Sequence, residues 1–330
     1  MITKNQLDLF NTQKTNISRV MRTIVGKLLI KIPNISDNVL GKHPLAGLTY
    51  RLALQKNNNT LQIMSILKLF SIRFNKDLSR LTENKIIGLQ TNVVLPEKET
   101  RNAALDISHS IDDQSLEDSL DNYFNLCHSF MPSWWWTYIT TVSSYTVVLI
   151  NGKPAPPRFS GTYSDAIGAI HGTEIHDVET FIELITHEAG HLWLNLLEKA
   201  SNFIQNQYSD QSYFSPWRAD ARPIQGVYHG AYVFSFVIPA LLATKTEKSG
   251  IRAAQLAIET NDAIKQVKNY ALLSREALEI IIAAEARVKD QESILINYGL
   301  STLIEKYASL KNDKIKILKK NCPNLRVDES

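Results

Sequence analysis

Hydrophobic residues recur at three-and-four spacing over most of this chain, the period of amphipathic helices. Two early segments carry it: Ile24-Val25-Gly26-Lys27-Leu28-Leu29, and the run from Leu61 to Phe70. Pro33, Gly41, Pro44, Gly47 and Asn57-Asn58-Asn59 separate these pieces, so residues 1–85 read as a helical scaffold region. A third helix is predicted over about 178–199, with Asp177 as its N-cap. A fourth starts near Gly226 and ends near 243. It is apolar nearly all round and should be central, with a kink at Pro239. From 247 to about 318 the stripe Ile251, Leu256, Ala263, Ile264, Val267, Ala271, Leu278, Ile281 and Ile282 predicts a long helical pair. Its break is expected near Asp290 or at Asn297-Tyr298-Gly299.

Between about 86 and 171 the texture shifts towards strands. Ile86-Ile87-Gly88-Leu89 and Val93-Val94-Leu95 precede a polar, acidic helix around Asp112 to Asn125. Tyr138 to Thr141 and Tyr145-Thr146-Val147-Val148-Leu149-Ile150 are rich in β-branched and aromatic residues. Asn151-Gly152 signals a tight turn. Trp134-Trp135-Trp136 reads as strand with one ring buried. Phe159-Ser160-Gly161-Thr162 and Ala166 to His171 form a candidate strand pair beside the 178–199 helix, where a sheet edge would hold an extended peptide. The fold class is therefore α+β, mostly helical: a helix pair beside a small antiparallel sheet, with helical N- and C-terminal regions. Three regions are expected, 1–85, 86–246 and 247–330.

Composition narrows the partners. The 330 residues are 44% hydrophobic and 21% charged, with a net charge of +3, too little to point to nucleic acid or a membrane surface. The basic run Lys311, Lys314, Lys316, Lys319, Lys320 and Arg326 reads as a solvated tail. Cys127 and Cys322 form no disulfide framework, the N-terminus lacks a signal-peptide layout, and the stretch Ala231 to Ala243 is too short to span a bilayer. A cytoplasmic protein is expected.

The chemistry concentrates at His187-Glu188-Ala189-Gly190-His191, an HExxH pattern. Two histidines four apart on a helix project from one face, so both imidazoles reach a single metal. Glu188 can then touch a metal-bound water. A random chain with eight His in 330 residues would show the pattern roughly once in a hundred trials. Gly190 permits close backbone approach beside the pair.

A complete site needs a third ligand, since catalytic zinc takes three and non-haem iron two His and a carboxylate. The metzincin extension is absent, with Leu194 and Leu197 at its Gly and third-His positions. His229, Asp220, Asp210 and Glu247 are the candidates, and His229 between flanking glycines is the best of them. Glu198 lies about 10 Å along the helix from His191, too far to share the metal. Just upstream, Arg218 and Arg222 flank Asp220 in Trp217-Arg218-Ala219-Asp220-Ala221-Arg222-Pro223. Arginine clamps carboxylates bidentately, which suits a terminal carboxylate, an oxyanion or the distal carboxylate of 2-oxoglutarate; an Arg–Asp structural pair is the plain alternative.

Taken with the HExxH, the block Ser215-Pro216-Trp217-Arg218, Asp220, Arg222-Pro223, Gly226 and His229-Gly230-Ala231-Tyr232-Val233-Phe234 resembles the HExxH-type peptide β-hydroxylases. These depend on iron and 2-oxoglutarate and modify ribosomally made peptides. The resemblance spans roughly residues 159 to 243. Ala219 and Ala221 stand where that family's pattern has prolines. It implies that His187, His191 and His229 hold Fe(II). Arg222, or else Arg218, would grip the far carboxylate of 2-oxoglutarate, and Glu188 need not act as a base. The product would be a peptide hydroxylated at a side-chain β-carbon, and the partner a precursor peptide. A zinc metallopeptidase, with Glu188 as general base, is the second reading, and a non-catalytic metal-containing peptide-binding protein the third. A homodimer through the helical ends stays open.

Overall fold

Tyr145-Thr146-Val147-Val148 is the strand around which the first part of the chain is built. The computed structural model describes Asp8, Thr12, Thr15, Arg19 and residues 87–94, 104–106, 114–150, 153–162, 168–200, 202–205 and 211–328. The helical expectation for residues 1–85 lies outside these except at Asp8, Thr12, Thr15 and Arg19, which are helical. Two compact units divide the chain, Met1–Leu196 and Leu197–Ser330.

In the first unit the strands are β1 (Ile87–Val94), β2 (Ala104–Asp106), β3 (Ser144–Ile150), β4 (Lys153–Pro154), β5 (Ser160–Thr162) and β6 (Ala169–Gly172). They form one sheet in the order β2-β1-β3-β6-β5, with β4 paired to β3. This sheet is mixed, which corrects the antiparallel expectation. Two partners of β3, β1 and β6, run parallel to it, while β4 pairs antiparallel to β3, β2 to β1 and β5 to β6. The crossover from β1 to β3 carries helices α1 (Gln114–Cys127) and α2 (Ser133–Ile139), and such a connection allows parallel pairing where a hairpin does not. Residues 144–148 of β3 are buried without interruption, as a strand covered on both faces requires. Ile150 pairs with Lys153; the Asn151-Gly152 signal itself lies outside the described residues.

The tryptophan run is helical. Trp134, Trp135 and Trp136 lie in α2, so the strand expected there is wrong, although Trp135 is the one ring fully buried. Aromatic β-propensity lost to tertiary packing: the Trp135 indole donates to Thr186 Oγ1 at 2.8 Å. Thr186 belongs to α3 (Val178–Ala200), the helix predicted over 178–199. Asp177 caps it, accepting from Thr180 N–H at 2.7 Å.

The second unit is helical: α4 (Ile224–Ala243), α5 (Glu247–Tyr270), α6 (Arg275–Lys289), the single turn α7 (Glu292–Leu295) and α8 (Leu300–Asn321). Two short strands, β7 (Ser212–Tyr213) and β8 (Leu325–Arg326), pair in parallel. Most of α4 is buried, as its all-round apolarity predicts, and it continues through Pro239. It begins earlier than expected. Its 20 residues are long and apolar enough to cross a membrane, but 72% of the apolar window is buried inside the protein. The helical pair expected over 247–318 is divided further, because Ser274 caps a new helix by accepting from Ala277 N–H at 3.2 Å. Gly299, at φ +80°, makes the break foreseen at Asn297-Tyr298-Gly299. Mostly helical α+β is the architecture.

Candidate metal centre

The HExxH turn of α3 is fixed by α2 from both ends. Trp135 binds Thr186, the residue before His187, and the Trp193 indole donates to the Tyr138 carbonyl at 2.9 Å, two residues beyond His191. Phe181, Ile185 and Leu194 are fully buried on the same helix. The histidines therefore sit on a backbone that cannot turn without breaking indole hydrogen bonds in the core.

His187 and His191 bring their Nε2 atoms to 3.1 Å from each other. With Glu188 they form a group of metal-ligating atoms all within 4.8 Å of one another. Two imidazoles plus a carboxylate suit zinc or iron better than calcium or magnesium. A cation at about 2.1 Å from both rings would take both facing lone pairs, which otherwise demand a proton between them. The residues fit a metal.

Glu188 is 1% exposed. Its Oε1 accepts from Ser160 Oγ at 2.6 Å and lies 3.9 Å from His187 Nε2. The Thr162 hydroxyl lies near this carboxyl and acts on it in the same direction as Ser160. Burial pushes the carboxyl up to about 7, against the pull of those two hydroxyls. The second oxygen, Oε2, is buried with no hydrogen-bond partner among the described residues. A buried carboxylate with one anchored and one unanswered oxygen is poised to take a water or a proton at Oε2.

The strand pair expected beside this helix is present. Ser160 pairs with Gly172 and Thr162 with Ile170, and Thr173 N–H donates to the Phe159 carbonyl at 2.8 Å. Hydrogen bonding alternates from there, so the backbone groups of Ser160 and Thr162 face away from β6. Their side chains meet Glu188. Sequence reading placed the strands but not this pairing, since no local signal links Ser160 to a glutamate 28 residues on.

His229 and the arginines belong to the second unit. His229 Nε2 lies 2.9 Å from Glu198 Oε1, and the Gln225 amide donates to Glu198 Oε2 at 3.2 Å. An ionised carboxylate only accepts, so this Nε2 carries the hydrogen of the bond. Glu198, too far along α3 from His191 to share a metal with it, bonds His229 instead, a contact that helix spacing does not signal. Asp220 faces both arginines, at 3.6 Å from Arg218 Nε and 3.2 Å from Arg222 Nε. Glu247 is exposed in the first turn of α5, and Asp210 lies outside the described residues. No family model matches the chain, and no curated protein does.

Also missed was Lys314. Expected in a solvated tail, it is half-buried instead and donates to the carbonyls of Ser215 at 3.0 Å and Pro216 at 2.7 Å. Lys311 is likewise drawn in, to Asp262 Oδ1 at 2.8 Å.

Proposed function

We propose that this protein is an Fe(II)- and 2-oxoglutarate-dependent hydroxylase acting on a side-chain β-carbon of a ribosomally made peptide. The observation that carries the reading is that Arg218 and Arg222 converge on one carboxylate, that of Asp220, just before His229 in the chain. Paired guanidinium groups that already address a carboxylate suit the distal carboxylate of a dicarboxylate co-substrate.

His187, His191 and His229 would hold the iron, and Arg222, or else Arg218, the distal carboxylate of 2-oxoglutarate. Bound Fe(II), with 2-oxoglutarate and dioxygen, supplies oxidation of a C–H to C–OH with release of succinate and carbon dioxide. The protein's own part is positional. Trp135 and Trp193 hold the histidines in register. Ser160 anchors Glu188, whose carboxyl is pushed up to about 7 by burial. The outward backbone groups of β5 would align an extended peptide by strand addition.

A second reading, zinc peptidase, is favoured by Glu188 itself, because a general base works best with a pKa near the operating pH. Two variants separate them. In a hydroxylase Arg222→Ala raises the KM for 2-oxoglutarate while Glu188→Gln keeps turnover. In a peptidase Glu188→Gln abolishes cleavage and Arg222→Ala leaves it intact.

A further inference from the structure

The arginine-bearing segment is closed into a loop whose base is Tyr213 and Arg222, each donating its N–H to the other's carbonyl, at 2.8 and 2.9 Å. At its far side Arg218 N–H donates to the Ser215 carbonyl at 3.3 Å, a turn that sets where the Arg218 side chain departs. That same carbonyl also accepts from Lys314, which reaches in from α8 and holds the next carbonyl, Pro216, as well. One ammonium thus fixes two consecutive peptide planes at the start of the turn.

Everything around this contact holds it in place. The Lys314 ammonium lies 5.2 Å from the centre of the Phe214 ring, and Phe214 is buried with Leu318 and Leu325. Phe214 N–H donates to the Arg326 carbonyl at 3.1 Å, so β8 braces the segment beside Lys314. On the other side Trp217 packs against Gly230 so closely that a Cβ there would stand 2.2 Å from the ring, and it meets Phe234 at 4.7 Å between centroids. Burial lowers the Lys314 pKa, and Glu259 and Asp220 oppose that shift. A methionine would serve the apolar neighbours as well, whereas only a donor can hold both carbonyls.

We propose that Lys314 is a positioning residue that holds the Ser215–Arg222 loop in the shape presenting Arg218 and Arg222 to a dicarboxylate. This rests on the hydroxylase reading of the arginines. The C-terminal helix then acts on co-substrate affinity without touching co-substrate.

The test is calorimetric titration of 2-oxoglutarate, and separately oxalate, into oxygen-free Mn(II)-loaded protein. Oxalate chelates a metal but lacks the distal carboxylate, so a merely structural loss would weaken both ligands. Lys314→Met is predicted to weaken 2-oxoglutarate binding by between about ten- and a hundredfold and to leave oxalate unchanged. Lys316→Met, at an exposed position on the same helix, should alter neither. Lys314→Gln, which keeps one donor, should fall between, and it carries the test if the methionine variant does not fold. Unchanged 2-oxoglutarate affinity in the Lys314 variants, with a loss in Arg222→Ala, overturns the role of Lys314 alone. If Arg222→Ala and Arg218→Ala both bind 2-oxoglutarate like the unmodified protein, the hydroxylase reading fails and this role falls with it.

Discussion

Ser160 donates its hydroxyl to Glu188 at 2.6 Å, tying the edge strand β5 to the acid between the two paired histidines of the HExxH turn. The bond joins residues 28 apart in sequence, and it anchors Oε1 while Oε2 stays open. Whatever chemistry Glu188 performs, Ser160 decides which oxygen performs it.

Removing that hydroxyl should therefore be costly. Ser160→Ala removes the hydroxyl that anchors a buried carboxyl, and a loss of about 1–3 kcal/mol is expected. Urea unfolding of metal-free protein measures it. A variant as stable as the parent would mean that the bond contributes nothing.

Acid–base linkage gives a second prediction. Folded Glu188 holds its proton up to about 7, whereas the unfolded chain releases it near 4.5. Between those values the folded state binds more protons, so rising pH destabilises it. Relative to Glu188→Gln, metal-free protein should lose about 3 kcal/mol from pH 4.5 to 7 and then level off. Parallel stability curves for the two proteins would contradict the burial argument.

The indole clamp on α3 is tested by Trp193→Phe. The ring volume is largely kept, but the Tyr138 carbonyl loses its donor. A cost of about 1–3 kcal/mol follows, with weaker metal binding as the helix gains freedom beyond His191. Metal affinity measured by competition with a chromophoric chelator should fall with the melting temperature; affinity that holds while the protein melts early would detach the clamp from the site.

Local signals carried what the sequence disclosed. Asp177 and the apolar run after it mark the ends of α3, and the i, i+4 spacing alone brings His187 and His191 together. Ser160, Thr162, Ala169 and Ile170 declared a strand pair through their texture. The parallel registers of β1 and β6 on β3 depend on long connections, residues 95–143 and 151–168, so no short pattern encodes them. Trp134-Trp135-Trp136 misled because aromatic residues favour strands until a partner such as Thr186 recruits one of them into a helix. Lys314 misled because a lysine in a basic run carries no mark of the carbonyls waiting for it. The break at Ser274 lacks glycine or proline and rests on a single capping hydroxyl.

The central claim is oxygen chemistry, and it is tested most directly with ¹⁸O₂. Fe(II)-loaded protein is supplied with 2-oxoglutarate, ascorbate and a candidate precursor peptide, and succinate and peptide are read by mass spectrometry. The predicted result is one ¹⁸O in succinate and one in the peptide, both lost in His187→Ala and His191→Ala. An intact 2-oxoglutarate pool, with the peptide cleaved by zinc-loaded protein, would contradict it.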